Sequence, residues 1–248
     1  MQKSEYRNIY QNEEKHFFYR ANHQLVISLL HRLTDEKSNL KILDAGCGTG
    51  LLAQKMQALG TVEAIDINPE AIKFAKKREV KVKLASITNL PFNNSSFDIV
   101  ISIDVLYHQK VTNDNLALAE FYRVLKPGGL LIVRVPAYNW LIRSTDIHVH
   151  TRKRYNLDEL KGKLRRAKFK IIKISYVNLI LLPPAVASWF LEKLFPSKKT
   201  ISPLVTLPSF LNQLVFYLLM LENLLLNFLN LPFGLGLIAV SKKSKALK

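Results

Sequence analysis

Residues 40–50, which read LKILDAGCGTG, decide the fold of this chain. The apolar residues 40–43 predict a short buried strand, and Gly46, Gly48 and Gly50 follow it. Glycines let a backbone turn sharply and approach a ligand closely. The helix that should start after them has free N–H groups at its first turn. A strand, a glycine-rich turn and a helix in this order indicate a nucleotide-type pocket.

Two carboxylates accompany the glycine turn. Asp66 lies 20 residues after Gly46, at the end of a second predicted strand over residues 61–65. There it can accept hydrogen bonds from both hydroxyls of a ribose, so a free 2′-hydroxyl is expected on the ligand. Asp44, before the turn, would repel a pyrophosphate but attract a cationic amino group. The alternative, a dinucleotide-binding G-x-G-x-x-G turn, needs its third glycine one residue later than here.

Strands and helices continue to alternate after the first two strands. Apolar runs predict further strands near residues 80–84, 97–105 and 130–135, and such continuous runs are typical of strands buried on both faces. Residues 118–125 predict a helix with one apolar face. This alternation predicts an α/β fold.

The DAGCGTG turn (residues 44–50), Asp66 and two later stretches resemble the class I S-adenosylmethionine-dependent methyltransferases. FDIVISIDVLYH (residues 97–108) resembles the fourth strand of that family, and RVLKPGGLLIV (residues 123–133) resembles the turn into its fifth. The resemblance implies a Rossmann-like three-layer sandwich with a mostly parallel seven-stranded sheet and an antiparallel last strand. It also implies S-adenosyl-L-methionine as the cofactor.

Cofactor contacts are implied by this resemblance at ten positions along one edge of the sheet. At Ser86 the family usually has an aspartate that binds the adenine amino group, and a serine hydroxyl can still accept that hydrogen bond. Ile103 and Asp104 would flank the methionine part, although a structural loop carboxylate is the alternative for Asp104. The ten residues are Asp44, Gly46, Cys47, Gly48, Asp66, Ile67, Ser86, Ile87, Ile103 and Asp104.

Two other stretches are similar to a bacterial and archaeal subgroup, of the methyltransferase type 11 kind, often linked to envelope glycan or lipid synthesis. EEKHFFYRANHQLVISLL (residues 13–30) matches its N-terminal motif, which implies Tyr19 and Arg20 as cofactor contacts. VPAYNWLIRSTDIHVHTRKRYNLDEL (residues 135–160) matches the segment after its fifth strand. The histidine of that segment falls one residue early in this chain, at His150.

Methyl transfer is an in-line displacement at a sulfonium, so positioning supplies most of the acceleration. A hydroxyl or carboxyl acceptor also needs a general base. We predict His108, His150 and Tyr155 as catalytic residues, because each should lie at the open edge of the sheet. Asp104 and His148 are further candidates, and a structural role is the alternative for any single histidine.

The charge balance indicates an anionic partner. Lys and Arg exceed Asp and Glu by 17 (36 − 19), and residues 141–175 hold eleven basic side chains against three acidic ones. Arg152 and Arg154 in this segment are candidates to clamp a phosphate or carboxylate, with a solvated basic surface as the alternative. The segment also supports a rival hypothesis, an RNA methyltransferase. However, the chain has no Asn/Asp-Pro-Pro-Tyr motif to hold a flipped base.

The single cysteine, Cys47, excludes an intramolecular disulfide framework and a cysteine-based zinc cluster. We therefore predict no metal site and a reducing, cytoplasmic compartment. The polar N-terminal stretch has no apolar run typical of a secretory signal. Pro183 and Pro184 interrupt the uncharged run over residues 174–191, so a membrane span is not predicted.

Composition divides the chain into four predicted segments. These are an N-terminal helical cap (1–38), the cofactor-binding Rossmann-like core (39–176), an apolar helical insertion (177–233), and the last core strand with a basic tail (234–248). Within the insertion, a helix over residues 211–230 would collect its asparagines in a sector of about 60° and be apolar elsewhere. Three uses stay open: a membrane or lipid-substrate surface, a lid packed on the core, and a homodimer interface.

These observations together predict a methyltransferase that acts on a lipid, a lipid-linked or a phosphorylated-sugar acceptor. Basic charge beside apolar surface suits anionic lipid, so we expect the chain to lie at the inner face of a membrane as a peripheral protein. The RNA methyltransferase is the enzyme alternative. A membrane-associated protein that binds the cofactor without turnover is the non-enzyme alternative.

Overall fold

The computed structural model describes residues 3–34, 39–195, 202, 204 and 206–244, and its centre is a seven-stranded sheet. The strands are β1 (Leu40–Ala45), β2 (Gly60–Asp66), β3 (Lys81–Leu84), β4 (Phe97–Ile103), β5 (Leu125–Pro136), β6 (Phe169–Val177) and β7 (Gly236–Lys243). The α-helices are α1 (Lys3–Asn12), α2 (Phe17–Leu33), α3 (Leu51–Met56), α4 (Pro69–Lys77), α5 (Asp114–Val124), α6 (Ser144–His148), α7 (Leu157–Arg166), α8 (Leu182–Leu194) and α9 (Ser209–Leu225).

The strand order is β3–β2–β1–β4–β5–β7–β6. Neighbours from β3 to β5 are parallel, and β7 is antiparallel to both β5 and β6. This confirms the predicted mostly parallel, Rossmann-like sheet with an antiparallel last strand. The chain leaves β1 toward β2 on one side, and β4 lies on the other side of β1. In open α/β sheets, ligands bind at the carboxyl ends of the strands where the order reverses in this way.

Helices cover both faces of the sheet, because the central strands are apolar on both sides. On one face, Phe121 of α5 and Leu160 of α7 belong to a buried apolar cluster. On the other face, Leu25 of α2 and Met56 of α3 belong to a second cluster. The sheet therefore lies between two helical layers, as the predicted three-layer sandwich requires.

The residues between β6 and β7 contribute α8 and α9, and α9 packs along α2. The predicted helix over residues 211–230 ends at Leu225 instead. Arg32 donates to the backbone oxygen of Asn227 at 3.0 Å, and Lys173 donates to that of Leu229 at 3.0 Å. These side chains satisfy carbonyl groups beyond the end of α9, which have no partner within the helix.

Some boundaries of the predicted segments fall on residues that the structure does not describe. Residues 35–38, at the end of the predicted N-terminal cap, and residues 245–248, in the predicted basic tail, lie outside the described residues. The described part of the cap consists of two helices, α1 and α2. His16 separates them, since its Nδ1 accepts the Phe18 N–H at 3.2 Å and caps α2.

Candidate functional site

A cavity of about 590 Å³ lies at the carboxyl ends of the central strands. Asp44 of β1, Asp66 of β2 and Pro136 of β5 line it. Tyr6 of α1 and Tyr19 of α2 contribute the opposite wall. The cavity therefore lies where the strand order reverses, and the two N-terminal helices cover it.

The glycine turn after β1 leaves open space for a ligand. A Cβ on Gly46, whose φ is +95°, would lie 2.4 Å from a methyl carbon of Val105, so no side chain fits there. A Cβ on Gly48 would meet nothing within 4 Å. The N–H groups of Gly46 and Cys47 both donate to the Ile65 carbonyl oxygen at 2.9 Å, which fixes the turn against β2. The space over Gly48 thus belongs to the cavity.

Asp66 holds the glycine turn and faces the cavity. One carboxylate oxygen accepts the Gly48 N–H at 3.0 Å, and the other accepts the Asn68 N–H at 2.8 Å. Burial raises the pKa of Asp66, and these N–H groups oppose the rise. Each oxygen keeps a second lone pair, which is what a ribose diol needs. Ile67, also predicted as a contact, lines the cavity beside it.

Asp44 is a buried carboxylate with an unpaired oxygen. It is 2 % exposed, and its Oδ2 has no hydrogen-bond partner among the described residues. Burial, and secondarily the charge of Asp66, raise the pKa of Asp44 to about 7. Leaving a buried acceptor unpaired is costly, so this oxygen indicates a missing donor. A ligand ammonium group supplies both donor and charge, so this site fits the amino group of S-adenosyl-L-methionine.

The predicted adenine contacts, Ser86 and Ile87, line the cavity together with Cys47. The Ser86 hydroxyl accepts the Thr88 N–H at 3.2 Å and lies 2.8 Å from the Thr88 hydroxyl. Burial raises the pKa of the Cys47 thiol well above its usual range, so Cys47 is a neutral contact. Ser86, Ile87 and Cys47 therefore contribute a hydroxyl group and largely apolar surface to the cavity.

Ile103 and Asp104 line the cavity at the end of β4, and Asp104 belongs to a buried polar chain. Its carboxylate accepts from Arg134, whose Nη2 donates to Asn178 Oδ1 at 2.6 Å. The backbone N–H of Asn178 in turn donates to Glu222 of α9. Burial raises the pKa of Asp104, and Arg134 opposes the rise. The Asp104–Arg134–Asn178–Glu222 chain therefore connects the cavity to the insertion.

A second buried cluster attaches α1 to the glycine turn. Glu13 accepts hydrogen bonds from the Thr49 hydroxyl and, at 2.8 Å, from Arg78 Nη1. Arg78 also donates to the Thr49 carbonyl oxygen at 2.9 Å. Glu13 and Arg78 are both nearly fully buried. Sequence analysis missed this cluster because its members lie 36 and 65 residues apart along the chain.

Helix α2 presents Tyr19 to the cavity but not Arg20. The Arg20 guanidinium lies 3.7 Å from the centre of the Phe216 ring and donates to Gln213 Oε1 at 3.1 Å. Arg20 is therefore directed to α9 and does not line the cavity, whereas its neighbour Tyr19 does. The prediction of Arg20 as a cofactor contact is therefore wrong, and Arg20 binds α9.

Two of the predicted catalytic residues, His108 and His150, line the cavity with ring centres 5.9 Å apart. Burial lowers the pKa of His108 to about 4 and also lowers that of His150, so both rings are neutral at pH 7. His108 Nδ1 accepts the Lys110 N–H at 3.1 Å, which puts its own proton on Nε2. His150 has no hydrogen-bonded ring nitrogen within the described ranges and keeps a basic lone pair. His148 instead pairs with Glu5 at 3.0 Å.

Tyr155 and Arg154 are structural residues. Tyr155 is fully buried and donates its hydroxyl to Asp114 Oδ2 at 2.7 Å, so its predicted catalytic role is wrong. Arg154 donates from Nε and Nη2 to the two carboxylate oxygens of Asp146, each at 2.9 Å. Its fork is therefore occupied and cannot clamp an acceptor. Arg154 nevertheless lines the cavity, whereas Arg152 does not; the Nη2 of Arg152 lies 3.7 Å from Asp114.

Two cationic residues that sequence analysis missed, Lys110 and Arg143, do line the cavity. The Nε of Arg143 is buried without a partner among the residues that the structure describes. Burial, and then the charge of Arg154, lower the pKa of Arg143. The carboxylates of Asp146 and Glu192 oppose these two effects without cancelling them, so a further anionic group next to Arg143 would be stabilising.

Comparisons with known proteins agree with this geometry. Residues 43–133 match the family model described as a methyltransferase domain. A protein from Methanocaldococcus jannaschii described as uncharacterized, MJ0638, is 37 % identical over 118 residues, which are 48 % of this chain and 50 % of that protein. A Bos taurus protein named "Probable tRNA methyltransferase 9B" is 32 % identical over 117 residues, 47 % of this chain and 25 % of that protein.

A solved structure of an S-adenosylmethionine-dependent methyltransferase from Thermotoga maritima superposes with a TM-score of 0.59 at 19 % identity. The match covers 97 % of this chain and 95 % of that one, and it establishes a shared fold. The chain spans half or less of the two curated relatives described above. The comparisons therefore match residues 43–133 to a methyltransferase domain and leave its acceptor open.

Proposed function

Residues 43–133 form a methyltransferase domain of the class I, S-adenosylmethionine-dependent type, and from this premise we propose an acceptor class for the chain. We propose that it transfers a methyl group to a lipid, a lipid-linked or a phosphorylated-sugar acceptor through an oxygen next to an anionic group. Bound S-adenosyl-L-methionine would supply an electrophilic methyl group on a sulfonium. The described residues would hold this cofactor, orient the acceptor and remove its proton.

The unpaired Oδ2 of Asp44 is the main observation in favour of cofactor binding. It would accept from the cofactor's ammonium group, while Asp66 would accept from the ribose hydroxyls and the open face of Gly48 would admit the ligand backbone. All three line the same cavity. This donor and acceptor pattern fits a cationic amino-acid ligand that carries a ribose.

His150 and Arg143 support the part of the proposal that concerns the acceptor. Both line the cavity, where Arg143 would bind an anionic group and neutral His150 would take the proton from an acceptor hydroxyl. These roles favour an acceptor that carries a phosphate or carboxylate near the methylated oxygen.

RNA is the less favoured acceptor because the basic segment is partly neutralised by the chain itself. Four of its eleven basic side chains form ion pairs with Asp114 or Asp146; they are Arg152, Lys153, Lys163 and Arg154. Phosphate binding would have to displace these carboxylates or use the remaining cations. Because the bovine relative is named as a probable tRNA methyltransferase, RNA is an acceptor that the experiment must test.

The test is transfer of a labelled methyl group from S-adenosyl-L-methionine into fractionated cell extract. We expect label in organic-soluble or sugar-phosphate material that resists RNase. Label that RNase removes would contradict the proposed acceptor and favour RNA. Binding of the cofactor without label in any fraction would contradict methyl transfer itself and favour a cofactor-binding protein without turnover.

Binding of the cofactor should depend on pH through Asp44. Only the ionised carboxylate pairs with an ammonium, and the pKa of Asp44 in the free protein is about 7. We therefore expect affinity to rise up to about tenfold per pH unit as pH increases toward about 7, and to level off above it. Titration calorimetry across this range checks the slope. Asp44→Asn should bind weakly and without this pH dependence, whereas a flat profile for the unchanged protein would contradict the assignment.

Replacing His150 with glutamine should lower the methyl-transfer rate by about 10² to 10⁴-fold and leave cofactor affinity unchanged. The rate of the unchanged protein should fall as pH decreases through the lowered His150 pKa, because protonation removes the base. His31→Gln, at an exposed position on α2, is the matched control. Equal rates for the two variants would rule out His150 as the base.

A further inference from the structure

Helix α9 exposes most of its apolar residues and buries the polar residues Glu222 and Asn223. At about 100° per residue, all α9 residues within an outward arc of about 140° are apolar. Phe210 at this arc is 76 % exposed and Leu221, near its centre, is 56 % exposed. We call the arc the α9 apolar face; its members are Phe210, Leu211, Leu214, Tyr217, Leu218, Leu221, Leu224 and Leu225.

Polar side chains attach the opposite side of α9 to the body of the protein. Asn212 accepts the Phe17 N–H at 3.0 Å, and Asn223 donates to the Ala21 carbonyl oxygen at 2.9 Å. Glu222 is buried and accepts from the Asn178 N–H. These contacts fix the rotation of α9 about its axis. Specific hydrogen bonds therefore direct the apolar face outward. Its exposure does not result from poor packing of α9.

Basic residues border the α9 apolar face. Arg20 donates to Gln213, which at about 100° per residue lies about 20° outside the edge of the face, and Arg32 donates to Asn227 just beyond the end of the helix. Lys173 donates to Asn230 Oδ1 at 2.8 Å at the same end. The acceptors in these contacts, like Gln213 for Arg20, are uncharged oxygens, so they do not neutralise the cations. The border of the apolar face thus keeps its positive charge.

We propose that the α9 apolar face docks in the interfacial layer of an anionic lipid bilayer, with α9 parallel to the membrane plane. An apolar face bordered by cations matches the acyl chains and anionic headgroups of such a surface. None of the described helices is long and apolar enough to cross a bilayer. The exposed aromatic residues Phe210 and Tyr217 on this face suit the headgroup boundary.

A second copy of the chain is a poorer occupant of this face. Two α9 faces packed together would bring the bordering cations Arg20, Arg32 and Lys173 of one chain close to those of the other. Like charges across an interface are repelled, and the net charge of +17 adds to this repulsion. The same cations are attracted to an anionic bilayer. Charge complementarity therefore favours lipid over a second copy of the chain at this face.

Flotation with lipid vesicles tests this proposal without reference to methyl transfer. The full chain should float with vesicles of phosphatidylcholine and phosphatidylglycerol, bind phosphatidylcholine alone much more weakly, and be released by salt. Leu221→Glu should lower the partition coefficient by about tenfold or more. Leu116→Glu, at an exposed leucine on α5, should bind like the unchanged protein and controls for surface charge.

The double variant Arg32→Gln with Lys173→Gln tests the charged border while it leaves the apolar face intact. It should bind the anionic vesicles several-fold less tightly and with a weaker salt dependence. Absence of vesicle binding by the unchanged protein, or equal binding by Leu221→Glu and Leu116→Glu, would overturn the proposal. A dimer in light scattering that Leu221→Glu converts to a monomer, without vesicle binding, would assign the face to a second copy.

Discussion

Replacing Asp66 with alanine should weaken binding of S-adenosyl-L-methionine by about a hundredfold or more. In the proposed complex the carboxylate accepts hydrogen bonds from both ribose hydroxyls, and each bond to a charged group contributes about 1.5–3 kcal/mol. The substitution also frees the N–H groups of Gly48 and Asn68, which Asp66 now orders. Titration calorimetry measures the loss directly.

Asp158→Ala is the control for the Asp66 variant, because Asp158 is an exposed carboxylate on α7. It should bind the cofactor as the unchanged protein does. A thermal melt separates loss of binding from loss of fold. If Asp66→Ala retains its fold and binds within about twofold of the unchanged protein, the ribose assignment is refuted.

Replacing Arg154 with methionine should lower the free energy of unfolding by about 3–5 kcal/mol, because it leaves the buried Asp146 carboxylate without its cation. Asp146 is accepting two hydrogen bonds from Arg154, and both side chains are about 5 % exposed. For a chain of this size the corresponding decrease in Tm is roughly 10 °C. Urea unfolding measures the free energy and a thermal melt the shift.

The double variant Asp146→Leu with Arg154→Met distinguishes an unpaired charge from lost packing. Removing both charges should recover a large part of the stability that Arg154→Met loses, since the desolvated carboxylate is gone. Asp146 also accepts the Arg143 N–H at 2.9 Å, so recovery should be incomplete. A double variant less stable than Arg154→Met alone would show that packing and backbone contacts dominate at this pair.

Local patterns predicted the sheet and the cofactor side of the site because each depends on residues close together in sequence. The glycine turn follows β1 directly, and Asp66 ends β2, so parallel pairing of those strands places them at one edge. Asp44 was predicted from its position before the turn. Its unpaired oxygen could not be predicted, since that depends on which donors the rest of the chain brings near.

The acceptor side and the helical walls depend on contacts between distant segments, and there prediction failed. A family motif gave the positions of Arg20 and Tyr155 but not the directions of their side chains. Two lone charges in apolar elements do indicate such contacts. Arg134 is a single charge in the apolar run of β5, and Glu222 is the single acid of α9. A lone charge in an apolar element requires a partner, and Asn178 links these two residues.

The Asp104–Arg134–Asn178–Glu222 chain also decides whether the insertion can be transplanted. Joining β6 directly to β7 would remove the carboxylate that accepts the Asn178 N–H and the asparagines that hold α2. Helix α2 supplies Tyr19 to the cavity, so the loss would reach the cofactor site. Grafting α9 onto another sheet of this type would equally require an arginine and an asparagine at the positions of Arg134 and Asn178. The insertion is therefore part of the support of the cofactor cavity rather than an independent appendage.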